Sequence, residues 1–152
     1  MYRYEQLAET RPYLKIEYVV PPSHHMGGLL IDDFIYLDRH QSNCEMNQWL
    51  QEEFAHYDYT VGDISKQETL DDRKQEKLAR SRAMERTVTL DGLIDCFGKE
   101  LWTPEEIADY FDVTIEYLFT ALQNYKDKRG VIFKHRAYYF DLRRNVNITR
   151  IE

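Results

Sequence analysis

The stretch SNCEMNQWLQEEFAHYDYTVGDI, residues 42–64, decides how the rest of the chain is read, because it has helical periodicity with charge set into its apolar face. At about 100° per residue, Met46, Leu50, Glu53 and Tyr57 share one face, with Trp49 and Phe54 at its margins. Glu53 therefore points where an apolar side chain is expected, and a carboxylate in that position is costly unless something uses it. Glu52 and His56 are four residues apart, so they leave the helix on one side, a turn above one another and beside Glu53. This is the arrangement of H-E-x-x-H with Glu in the first place. The plain alternative is a charged group on a helix surface.

Upstream, residues 28–31 and 34–37 flank Asp32-Asp33 with the spacing of a hairpin. Residues 15–20 place Ile16, Tyr18 and Val20 on one face before Pro21-Pro22 ends the pairing. Together these runs predict a small three-stranded antiparallel sheet, preceded by a short helix over residues 2–10 that Arg11-Pro12 terminates. His24 and His25 lie between the first two strands; neighbours on an extended chain point opposite ways, so they read as loop histidines rather than a metal pair.

Three helix starts share one device, a hydroxyl cap followed three residues later by Glu: Ser42 with Glu45, Ser65 with Glu68, and Thr103 with Glu106, where Pro104 takes the first helical position. The first helix is expected over residues 43–59. The second, over residues 66–88, is highly charged but aligns Glu76, Ala79, Ala83 and Thr87 on one face, with Leu78 beside it. A short helix over residues 90–97 closes at Gly98. Residues 104–111 and 114–125 then have helix-turn-helix spacing, with Ile107, Ala108, Phe111, Val113, Leu118 and Ala121 as packing positions and Asp112 where the turn usually has Gly. Thr114, Glu116, Tyr117 and Thr120 face outward without Lys or Arg before Lys126, which is poor equipment for reading a DNA groove. Residues 131–133 and 136–142 are placed to pair as a C-terminal hairpin, and residues 143–152 carry no clear signal. The fold class is α+β in a single domain over residues 1–152: a sheet with its central helix in residues 1–64 and a mainly helical half in residues 65–152.

With 43% hydrophobic and 14% aromatic residues in 152, the chain is composed to fold around a core of its own. The net charge of -7 is uneven: residues 1–66 hold 5 Lys+Arg against 11 Asp+Glu, and residues 67–152 hold 15 against 16. An acidic chain of this kind is not a generic nucleic-acid binder. No stretch approaches the roughly 20 apolar residues of a membrane span, and the first residues lack a signal peptide's apolar run. The two cysteines, Cys44 and Cys96, both in predicted helices, suit a reducing cytoplasm.

A hydrolytic zinc site needs about three protein ligands, an open position for water and a carboxylate to take that water's proton. Glu52 and His56 are candidate ligands and Glu53 the candidate base. A third ligand has to come from elsewhere: Glu76, if its small-residue face lies against the first helix, or Asp58, or Asp63 in the Gly62-Asp63 turn, the last two as ligands or as partners of one.

Several stretches taken in order resemble the ImmA/IrrE family of metallopeptidases, in the short form of phage and mobile-element regions: GLLIDDFIYLD at residues 28–38, QEEFAHYDYTVGDI at 51–64, QEKLARSRA at 75–83, LDGLIDCF at 90–97 and TPEEIADYFDVT at 103–114. The family pattern is a strand pair leading into H-E-x-x-H or E-E-x-x-H, then a helix beginning Glu-x-x-Ala. The resemblance implies a zincin-like helix with Glu52, His56 and Glu76 as zinc ligands and Glu53 as general base. It also implies an antirepressor that acts on a helix-turn-helix repressor in a bacterial host cell. The alternative under the same resemblance binds that repressor without cutting it, since Glu52 stands where the fuller motif has His.

Overall fold

A computed structural model describes residues 1–20, 27–59 and 70–151, with side chains from residue 73 onward in the last span. Pro21, Pro22, His24, His25, the Ser65 and Glu68 cap and the Gly62-Asp63 turn lie outside them. The chain divides into two compact units, Met1–Arg86 and Thr87–Glu152. The long charged helix is thereby gathered with the sheet that precedes it rather than with the helices that follow.

The first unit is built from α1 (Arg3–Glu9), β1 (Lys15–Val19), β2 (Gly28–Ile31), β3 (Phe34–Asp38), α2 (Asn43–Tyr59) and α3 (Leu70–Thr87), whose last residue falls past the division. Its sheet is mixed, not antiparallel. β2 and β3 form the expected hairpin, with Asp32 supplying the positive φ of 53° at the turn, but β3 lies in the middle and runs parallel to β1 in the order β1-β3-β2. The central place goes to the most deeply buried strand: Ile35 and Leu37 of β3 are fully buried, whereas β1 buries no residue completely.

Against this sheet α2 packs Met46, Leu50 and Phe54, joined by Leu14 and by Tyr4, Leu7 and Trp49 at the margin. The anticipated face of α2 holds from Met46 to Glu53 and then fails. Tyr57 is exposed and rests against the Tyr13 ring, while Ala55 is buried in a separate cluster with Ala79 and Ala83 of α3. α2 is thus buried on two sides, by the sheet and by α3. Three alanines let those helices approach closely, the small-residue contact that the 76/79/83 spacing anticipates; Leu78, beside that face, is exposed. At the N-terminus of α2, Ser42 Oγ accepts from the Glu45 N–H while Glu45 Oε1 accepts from the Ser42 N–H, completing the capping box.

The second unit holds α4 (Leu90–Gly98), α5 (Pro104–Phe111), α6 (Ile115–Arg129), β4 (Ile132–His135), β5 (Tyr138–Asp141) and β6 (Asn147–Arg150). All six packing positions anticipated for the helix-turn-helix pair are buried, and Thr103 with Glu106 forms the second capping box. Asp112 adopts the left-handed conformation usual for Gly at a helix end, φ 55° and ψ 53°. α4 reaches α5 through Gly92, where a Cβ would stand 2.4 Å from the Phe111 ring. The C-terminal hairpin is one part of a three-stranded antiparallel sheet, β4-β5-β6. β6 escapes the sequence reading because only Ile148 of its four residues is buried. The architecture is α+β, both cysteines are free, and among the described residues no helix is long and apolar enough to cross a membrane.

Candidate metal centre

The site is assembled from consecutive turns of α2 and the facing turn of α3. Glu52 and His56 project from one side of α2 because they are four residues apart. The Ala55–Ala79–Ala83 contact brings α3 close enough for Glu76 to meet them. His56 Nε2 lies 3.3 Å from Glu76 Oε1 and 3.9 Å from Glu52 Oε1, and one ligand atom from each of the three residues falls within 4.8 Å of the others. Tetrahedral ligands at about 2.1 Å from an ion are about 3.4 Å apart, so this spacing suits a small divalent cation after slight adjustment. An imidazole with two carboxylates is a donor set such a cation accepts.

Of the other third-ligand candidates, Asp58 is committed elsewhere. It takes a two-pronged hydrogen bond from Arg11, at 2.8 and 2.7 Å, and another from Arg86 at 2.7 Å. The Arg11 bonds hold its carboxyl below the usual carboxylate range. Asp58 therefore ties the start of the sheet to the end of α3. Asp63 lies outside the described residues.

Glu53 is 5% exposed, as its place on the apolar face requires. Burial pushes its carboxyl up to about 7; the nearby His56 opposes that rise, and Glu52 and Glu76 add to it. Its surroundings are shaped by glycine: a Cβ at Gly28 of β2 would stand 3.3 Å from Glu53 Oε1 and 3.3 Å from the Trp49 ring. A side chain there would crowd the carboxylate, so the bare backbone of β2 borders the site.

The imidazole is held by opposing influences. Burial pulls the His56 pKa down, but the neighbouring carboxylates of Glu52 and Glu76 and the charge of Glu53 outweigh it, raising the group to about 10. Glu76 is correspondingly lowered, chiefly by its bond to His56. Without a metal the centre is thus an ion cluster around an imidazolium. Arg80, one turn beyond Glu76 on α3, completes it: Nε is 3.5 Å from Glu52 Oε1 and Nη2 is 3.5 Å from Glu76 Oε1. Sequence reasoning passed over Arg80, although its i, i+4 spacing from Glu76 was the available signal.

No family model matches the chain, and no curated protein or solved structure matches it.

Proposed function

We propose that this chain is a zinc-dependent, site-specific endopeptidase of zincin-like design. It acts in the bacterial cytoplasm as an antirepressor on a helix-turn-helix repressor. The observation that carries the reading is the buried Glu53 carboxyl, held up to about 7 beside three ligand-type side chains drawn together from two helices. Glu52, His56 and Glu76 would hold the ion. A bound zinc ion supplies Lewis acidity and lowers the pKa of water. Glu53, buried beside these ligands, accepts the proton of the attacking water and returns it to the leaving amine. Among the described residues β2 is paired on one side only, so its free edge can bind an extended peptide through main-chain hydrogen bonds, with Gly28 keeping the approach to Glu53 open. The repressor as substrate rests on the resemblance to ImmA/IrrE proteins.

The test is to incubate the purified chain with the helix-turn-helix repressor encoded beside it, with zinc and with a chelator, and to resolve the products by mass spectrometry. Wild type with zinc should yield two repressor fragments. Glu53→Gln should still bind about one zinc per chain by calorimetry and yield none; cleavage by Glu53→Gln would sink the mechanism. A second reading, repressor binding without cleavage, is favoured by Arg80, whose guanidinium lies 3.5 Å from both Glu52 and Glu76 and competes with a cation for them. Under it the repressor stays intact, and a stable complex and antirepression both survive Glu53→Gln.

A further inference from the structure

The second unit has a groove of about 160 Å³ between α6 and the residues joining β5 to β6, with the start of α5 at one end. Its walls include two large apolar side chains that folding leaves in water, Trp102 at 61% and Phe119 at 54% exposed, over a floor of Leu118, Leu122 and Leu142. A cavity of this size suits a benzene-to-indole-sized group. Two of the lining residues, Lys126 and Arg144, are cations, and none is acidic. Neither pairs with a carboxylate among the described residues, whereas the adjacent Arg143 is held by Asp141 at 2.8 Å. In a chain of net charge -7, an apolar groove with unneutralised cations and no anion has a sign preference of its own.

We propose that this groove is a docking site for an acidic peptide segment of another protein, with one aromatic or large aliphatic side chain seated between Trp102 and Phe119 and flanking carboxylates facing Lys126 and Arg144. Charge complementarity selects the occupant. Residues 121–151 hold eight Lys+Arg against Asp127 and Asp141, so the groove's cationic side belongs to a basic segment. Nucleic acid fits less well. Residues 87–120, which supply α4, α5 and the first turns of α6, hold eight Asp+Glu against Lys99, so the groove's positive charge is confined to Lys126 and Arg144, a reach that suits a few carboxylates better than a long phosphate backbone. The apolar part of the lining also loses nothing by taking a greasy side chain. The docking role does not depend on any bond being cut in the first unit.

Fluorescence polarisation with the full chain and a short fluorescein-labelled peptide, a single tryptophan flanked by glutamates, tests this. The expected result is saturable binding that weakens about tenfold in the Lys126→Glu, Arg144→Glu double variant and falls off with Phe119→Ala. It should weaken likewise when the peptide's glutamates become glutamines or its tryptophan becomes alanine. All three protein positions line an open groove, so circular dichroism and melting should match wild type; the milder Lys126→Gln, Arg144→Gln pair should weaken binding in the same direction. Absent binding, equal affinity for wild type and the charge-reversed variant, or equal affinity for the glutamine peptide overturns the proposal. So does a labelled DNA duplex that binds through Lys126 and Arg144 and excludes the peptide.

Discussion

Glu53 carries two demands that pull in opposite directions, and its titration makes them measurable. Its folded pKa is raised from 4.5 to about 7, so the protonated form is the one the fold prefers. The sign follows: the penalty is absent below the unfolded pKa, grows from about 4.5 to about 7, and is full above that. That difference corresponds to about 3 kcal/mol. Glu53→Gln, which removes the ionisable group and nearly keeps its shape, should match wild type at pH 4.5 and exceed it in stability by up to about 3 kcal/mol at pH 8, read by urea unfolding with chelator present. Equal gains at both pH values would mean that ionisation is not what Glu53 costs. At this scale the placement of the cluster was largely legible. Glu52, Glu53 and His56 follow from helix spacing alone, whereas Glu76 needed a helix-helix contact that spacing left open among Asp58 and Asp63. Arg80 was missed because an exposed arginine on a charged helix looks like any other until its two carboxylate neighbours have positions.

What holds at the level of elements is whatever is decided locally. The Ser42 and Thr103 capping boxes each satisfy two backbone donors within four residues, and both form as their sequences predict. Strand partnership is non-local. The alternation of residues 15–19 specifies which side chains face the core, but the choice of β3 over β2 as partner depends on where the hairpin lands. β6 illustrates the same limit, since a strand with one buried residue of four has no period to detect. The α5–α6 turn is local again and supports a test. Asp112 is left-handed with φ 55°, a conformation that Asp and Asn tolerate, Gly adopts freely and a β-branched residue resists. Asp112→Gly should be neutral or stabilising by up to about 1 kcal/mol, while Asp112→Val should destabilise by about 1–2 kcal/mol. Thermal melting of the two variants beside wild type separates them, and a Val variant as stable as the Gly variant would show that the turn is free to change its conformation.

Across the whole chain, metal and fold are coupled through topology. The three ligand-type residues come from two helices separated by residues 60–69, and all lie within the unit Met1–Arg86, so an ion bound there joins α2 to α3. Ligand that binds only the folded form stabilises it by about 2.7 kcal/mol at a hundredfold excess over its dissociation constant, or about 5–10 °C in melting temperature where the whole chain unfolds together and about twice that where the unit Met1–Arg86 unfolds alone. The two tryptophans give each unit its own reporter. Trp49 packs against Gly27 and Gly28 beside Glu53, and Trp102 belongs to the second unit. In a Trp102→Phe protein, zinc should raise the melting transition seen by Trp49 fluorescence by that amount, a chelator should reverse the shift, and adding Glu76→Ala should abolish it. The Trp49→Phe protein then measures cooperativity: a matching shift at Trp102 means the units unfold together, and an unmoved one means they unfold separately. If the Trp49 transition ignores zinc, or responds equally without Glu76, these three side chains are a structural ion cluster and the metal centre must be given up.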